Sequence, residues 1–302
     1  MFGHKRVSLI FVAVSLQLLH AADAFPARSK PTRHYSEIFS SSSTFVEELD
    51  LTTYFLPEFQ EKASKLSCRE ITEMIPASAT SSTTSNAQKP LRQQLFTSPL
   101  ISVLYERILP PLWEAGLRTG GPEAEYQAAA KFLKDEDYDK SGSDVLLDLS
   151  CGTGFVGLRF AKAQQYKHVF SLDYSFQMLT ELVQSLQRRS SSPALPLSIL
   201  RGDAGNLPFQ GNSIDAIHWG AAMHCVPNAE QALKEVYRVL KPGGKLYATT
   251  FLRPFPDVVF RFFTVEELDE MARQVGFGNS NDNSSLLQVE GRGVYGIVKA
   301  IK

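Results

Sequence analysis

The stretch from Asp144 to Gly157, D-V-L-L-D-L-S-C-G-T-G-F-V-G, constrains this chain more than any other. Val145, Leu146, Leu147 and Leu149 form an apolar run of strand length, and Phe155 to Lys162 carry helical spacing. A glycine turn lies between them. Strand, glycine turn and helix together make a nucleotide-site arrangement. Glycine tolerates φ > 0 and lets the backbone approach a ligand closely, and a helix N-terminus presents unpaired N–H groups.

Beyond this stretch, strands and helices alternate. Strands are predicted at 169–173, 197–200, 214–219 and 245–251, the last after a stop at Lys241-Pro242-Gly243-Gly244. Helices are predicted at 155–165, 175–188, 229–240 and 264–275, and two final strand-like segments lie near 286–289 and 294–301. This pattern predicts an α/β fold: a Rossmann-like, seven-stranded, mostly parallel sheet covered on both faces, spanning residues 140–302. Ligands in such sheets bind beyond the C-terminal strand ends, at the switch in strand order. Upstream, Phe96, Leu100, Ile101, Leu104, Tyr105 and Ile108 recur at helical spacing until Pro110-Pro111, and Glu123 to Leu133 reads as a second helix. Residues 91–139 are therefore expected to form a helical cap.

The N-terminus reads as an address. His4-Lys5-Arg6 precedes an apolar run from Val7 to Leu19, too short for a comfortable membrane span, and Ala22-Asp23-Ala24 has the small-x-small pattern of a cleavage site. Residues 1–24 are thus expected to be a signal peptide. Residues 25–44 hold Arg28, Lys30, Arg33 and many serines, with no acid before Glu37, which is transit-peptide composition. The Ala-Asp-Ala-Phe-Pro junction resembles the two-part plastid presequence of algae with secondary plastids; plain secretion is the alternative. Ser/Thr-rich stretches at 40–43 and 77–85 suggest a poorly ordered linker over 45–90, with a local helix from Phe45 ending near Pro57.

Net charge is −1, which leaves no electrostatic footprint for nucleic acid. The basic excess sits near the N-terminus, so the expected mature chain is net acidic, with no span to insert it into a membrane and no signal for an oligomeric state. Cys68, Cys151 and Cys225 have no CxxC or metal spacing, so neither a disulfide framework nor a metal site is expected.

Gly152-Thr153-Gly154-Phe155-Val156-Gly157 matches G-x-G-x-x-G, and Asp173 follows Gly152 at about the spacing of a ribose-binding acid, so NAD is one reading. Three features favour S-adenosyl-L-methionine (SAM). Asp148 directly before the turn repels a pyrophosphate but suits an ammonium. Asp203 and Ala204, after the third strand, suit an adenine amino group and a ring nitrogen. The fourth strand and the Lys-Pro-Gly-Gly turn have no dinucleotide-specific role.

The ordered motifs D-L-S-C-G-T-G, L-D-Y-S, G-D-A-G-N-L-P-F, S-I-D-A-I-H and R-V-L-K-P-G-G-K-L resemble those of class I SAM-dependent methyltransferases. With P-L-I-S-V-L-Y-E-R upstream and G-A-A-M-H-C before the fourth helix, the chain resembles plastid methyltransferases of plants and algae in the methyltransferase-11 group. That resemblance implies that Asp148 holds the methionine ammonium and that Gly152 and Gly154 line the carboxylate end. Asp173 would take the ribose hydroxyls, Tyr174 stack near the adenine, and Asp203 and Ala204 read it. Ser150 stands where the family has its first loop glycine, and Cys68 is the only cysteine in a region that is often cysteine-rich in the plant relatives.

The function expected is methyl transfer from SAM to a small, apolar acceptor in the plastid. An NAD(P)-dependent oxidoreductase and a non-catalytic SAM-binding protein are the alternatives. His224, after the fourth strand, is the candidate general base, and Tyr105 and Trp113 are candidates to line the acceptor pocket. Cys151 and Cys225 have no base at readable spacing and read as small apolar residues. Tyr295 and Lys299 imitate a dehydrogenase Tyr-x-x-x-Lys pair, but on a strand they lie ~13 Å apart.

Overall fold

The computed structural model describes residues 49–76, 121–133, 145–188, 195–253, 260–278 and 286–302. The expected signal peptide, the transit-like segment, Tyr105 and Trp113 lie outside the described residues.

Among the described residues, eight strands form one sheet: β1 (Ile71–Glu73), β2 (Val145–Leu149), β3 (His168–Asp173), β4 (Leu197–Arg201), β5 (Ile214–Trp219), β6 (Leu240–Phe251), β7 (Leu287–Arg292) and β8 (Tyr295–Ile301). Their order is β1-β4-β3-β2-β5-β6-β8-β7; β8 pairs antiparallel with both β6 and β7, and all other pairs are parallel. The helices are α1 (Gln60–Ala63), α2 (Gly121–Leu133), α3 (Phe155–Ala163), α4 (Phe176–Gln187), α5 (Ala229–Val239) and α6 (Val265–Val275). From β2 the chain crosses through α3 to β3 on one side, while β5 lies on the other side of β2, so strand order switches between β2 and β5.

Every residue of β2 is buried, as expected of a central parallel strand covered on both faces. Val145, Leu147 and Leu149 join Phe170, Ile217 and Trp219 in one apolar layer. Leu146 points the other way, into a layer with Ala129 of α2 and Phe160 of α3. Strand alternation puts Asp148 on this second side, beneath α2 and α3. Ser175 caps α4 by accepting from Met178 N, and Thr264 and Glu267 close a capping box on α6.

The sheet has one strand more than the seven expected, and the extra one comes from the segment expected to be linker. Among residues 49–76, β1 pairs in parallel with β4, with Ile71 opposite Ile199. Phe55 is fully buried against Phe170 and Phe209, at ring separations of 5.4 and 4.9 Å. Of the helix expected from Phe45, residues 45–48 lie outside the described residues; in the described part, Leu51–Tyr54 is a short 3-10 turn, and Phe55 is extended and bridges Phe209. Pro57 disfavours helical geometry at Leu56, whose φ of −57° and ψ of 150° are extended. Leu56 N and Gln210 N then bond to Pro208 O and Tyr54 O, each at 2.9 Å.

A second difference concerns β6, which starts at Leu240, ahead of Lys-Pro-Gly-Gly. The register passes from Ile214 opposite Leu240 to Ala216 opposite Lys245, so the intervening residues bulge out, with Gly243 at φ 78°. The other strands and helices fall within a few residues of the sequence expectation.

Candidate cofactor site

The loop after β2 is held from below. Gly154, at φ 78°, starts α3, and Gly154 N donates to Cys151 O at 2.9 Å. A side chain at Gly154 would strike Leu182 of α4. At Gly152, φ is 55° and an added Cβ would meet none of the described residues within 4 Å. The loop is therefore open at Gly152 and closed at Gly154, the arrangement a backbone needs to receive a ligand on one side only.

Asp173 ends β3 beside this opening. Its Oδ2 accepts from Gly152 N at 2.8 Å and its Oδ1 from Ser175 N at 2.8 Å. Burial raises its pKa and the nearby Asp148 charge adds to this, while the backbone N–H groups oppose it. Tyr174 follows, and the Arg201 guanidinium lies 5.8 Å from its ring centre and from that of Phe176. Arg201 is held by Glu73 of β1 at 2.9 Å, so the added strand fixes a cation beside the tip of β3. After β4, Asp203 Oδ1 accepts from Gly205 N at 2.8 Å and Ala204 is buried. The structure thus brings Gly152, Gly154, Asp173, Tyr174, Asp203 and Ala204 to the C-terminal ends of β2, β3 and β4.

Ser150 adopts φ 55°, the left-handed region its expected glycine would occupy freely. Ala221, after β5, has φ 45°. Of the four described non-glycine residues with positive φ, these two follow the strands that flank the switch in strand order, where strain commonly marks function.

Asp148 departs from its implied role. It is 1% exposed; its Oδ2 accepts from Gly157 N at 2.9 Å and its Oδ1 lies 2.7 Å from His218 Nδ1. A carboxylate sealed this way anchors the first turn of α3 to β2 and is closed to a ligand ammonium. His224 departs as well. It is buried among Phe251, Phe260 and Phe262, its Nδ1 lies 3.3 Å from Thr250 Oγ1, and burial lowers its pKa from 6.5 to about 3. So desolvated a ring is a weak proton acceptor at neutral pH, which removes its motive as a general base. Burial, followed by the charges of Asp173 and Asp148, pushes the Cys151 thiol well up, away from thiolate chemistry. Tyr295 and Lys299 bond to separate acids, Glu125 at 2.8 Å and Glu290 at 3.0 Å.

The sequence reading missed a buried ionic network under the loop. His218 of β5 sits between Asp148 and Glu125, whose Oε1 is 3.4 Å from His218 Nε2, an ionic contact short of hydrogen-bond geometry. Glu125 comes from α2 and accepts from Thr249 Oγ1 at 2.6 Å and Tyr295 OH at 2.8 Å; Thr249 in turn accepts from Ala221 N at 2.7 Å. Burial opposes a charge on His218, but the two carboxylates outweigh it and raise its pKa from 6.5 to about 9. Gly220 leaves the room: a Cβ there would come within 2.6 Å of His218 and 2.7 Å of Glu125. The available signal was polar residues at inward positions of central strands, His218 and Thr249 among them.

The sheet and this loop have the arrangement of a class I SAM-dependent methyltransferase domain. Residues 147–248 match the model of a methyltransferase domain family, the methyltransferase-11 group. Two uncharacterized chloroplastic methyltransferases of Arabidopsis thaliana are each 38% identical, one over 57% of this chain and 47% of its own length, the other over 55% and 46%. A 2-phytyl-1,4-naphtoquinone methyltransferase of Nostoc punctiforme is 35% identical over 38% of this chain and 49% of its own. The chain spans about half the length of the curated relatives it matches.

Proposed function

We propose that the protein transfers a methyl group from SAM to a small, apolar acceptor in the plastid. The observation that carries this is the pairing of the open Gly152 backbone with the Asp173 carboxylate 2.8 Å away, at the strand-order switch. The open cradle fits SAM, which lacks a phosphate and whose methionine carboxylate would face the loop at Gly152 and Gly154. Bound there, SAM supplies an electrophilic methyl on a sulfonium.

The residues of this chain do the rest. Asp173, at the tip of β3, would accept from the ribose hydroxyls. Asp203 and Ala204 would read the adenine edge, and Tyr174 would stack near it. Ser150 and Gly154 shape the turn. Asp148 holds α3 in place rather than touching the ligand. No described residue is poised as a base, so positioning of the acceptor carries the chemistry, an effect worth up to roughly 7–11 kcal/mol when alignment is good. Relatives that act on quinones support the apolar acceptor class. Chloroplastic relatives and the two-part presequence composition support the plastid.

Calorimetry on the full chain with SAM, S-adenosylhomocysteine and NADH tests this. Micromolar S-adenosylhomocysteine binding, weakened at least about tenfold in Asp173→Ala, is expected, since the variant loses hydrogen bonds to a charged acceptor. NADH binding without S-adenosylhomocysteine binding refutes the reading in favour of an oxidoreductase. SAM binding with no methyl transfer to any component of a plastid extract supports a non-catalytic binding protein.

A further inference from the structure

We propose that His218, held as an imidazolium between Asp148 and Glu125, is the positioning residue that keeps the cofactor loop in its binding shape, so that cofactor affinity depends on its proton. This rests on the reading of the loop as a SAM site. Asp148 is 1% exposed and spends one oxygen on the Gly157 N–H at the start of α3 and the other on His218 Nδ1. Buried charge persists only where it is paired. With His218 charged, both carboxylates share one cation. With His218 neutral, two acids face each other across an uncharged ring, and the bond that pins α3 and the loop before it loses its charge support.

The groups facing His218 are few. Asp148 comes from β2, Glu125 from α2, and Tyr247 from β6 stacks on the ring at 6.3 Å and 12°. Tyr295 of β8 reaches Glu125 from its far side, and α3 contributes only the uncharged Phe160, at 6.4 Å. Among the described residues no second cation faces the pair, so the imidazolium is the one neutralising charge. Its pKa, raised to about 9, keeps it protonated at neutral pH. The consequence reaches the ligand end because Asp148 and Asp173 feel each other's charge. The same network ties α2 to the loop, so seating of that helix and the shape of the site are one event.

Two measurements on the full chain test this. In ¹⁵N-histidine NMR of the wild type at about pH 7.5, both His218 ring nitrogens should carry protons; a neutral tautomer overturns the proposal without any variant. In the second, S-adenosylhomocysteine affinity is followed from about pH 6.5 to 8 in wild type and Glu125→Gln. The wild type should stay flat. The variant, having lost one carboxylate, should bind about tenfold more weakly at the upper end, the worth of one charge-assisted hydrogen bond. Parallel profiles overturn the positioning role while leaving the SAM site standing. A wild type that binds no S-adenosylhomocysteine at any pH sinks the SAM reading and this inference with it.

Discussion

Gly157 offers the sharpest test of how the loop is supported. It lies in the first turn of α3, pressed against β2 and β3. A Cβ there would stand 2.5 Å from Ser171 Oγ and 2.6 Å from Asp148 Oδ2. These two neighbours differ in stiffness. Ser171 Oγ is buried and, among the described residues, is not tied by a hydrogen bond of good geometry. Asp148 is held by Gly157 N and His218 and has nowhere to go. Gly157→Ala gains about 1 kcal/mol of helix propensity. Against that stand about 1–3 kcal/mol of overpacking and about 1.5–3 kcal/mol for loosening a hydrogen bond to a charged group. The balance is a loss near ~3 kcal/mol, or roughly 6–12 °C in melting temperature. Chemical denaturation with a double-mutant cycle reads it. Adding Ser171→Ala removes the nearer contact and should recover about 1 kcal/mol. A Gly157→Ala protein as stable as the wild type refutes the reasoning. Full recovery by Ser171→Ala would show that Asp148 yields and is not an anchor.

The other expectations concern strain, the added strand and pH. Ser150→Gly removes a left-handed serine worth about 1–2 kcal/mol but adds unfolded-state freedom of about 0.5–1 kcal/mol; urea denaturation should show a gain of up to about 1 kcal/mol, and a clear loss would mean the serine hydroxyl matters more than the backbone. Phe55→Ala should cost about 3–5 kcal/mol in the same assay, because Phe55 is fully buried in the main core; a value under about 1 kcal/mol would mean the 49–76 segment only rests on the sheet. His218 is protonated in the fold up to about pH 9 and in the unfolded chain only below about 6.5. Its pairing therefore stabilises fully below pH 6.5, by on the order of 3 kcal/mol, and that contribution fades as pH rises through about 9. His218→Gln should flatten this part of the stability–pH curve, and a variant curve parallel to wild type would refute the assignment.

What the sequence by itself determined was the local grammar of the domain. Apolar runs of strand length, helical spacing and glycine turns placed β2 to β5 and the helices between them within a few residues, because each signal is set by neighbours a few positions apart. Ser150, Gly152 and Gly154 announced a turn through residue type, and Asp173 announced a strand-tip acid through position. Only the tertiary structure decided the rest. Asp148 and His218 are 70 residues apart, Thr249 and Glu125 are 124 apart, and Tyr295 and Glu125 are 170 apart. No periodicity links such positions; they meet because the strand order lays β2, β5, β6 and β8 side by side under α2. The same long-range packing drew the 49–76 segment onto the sheet, where an apolar edge at β4 and the Phe170–Phe209 layer were open to it. It also buried His224, whose chemistry depends on the water removed from around it and not on its place in the chain.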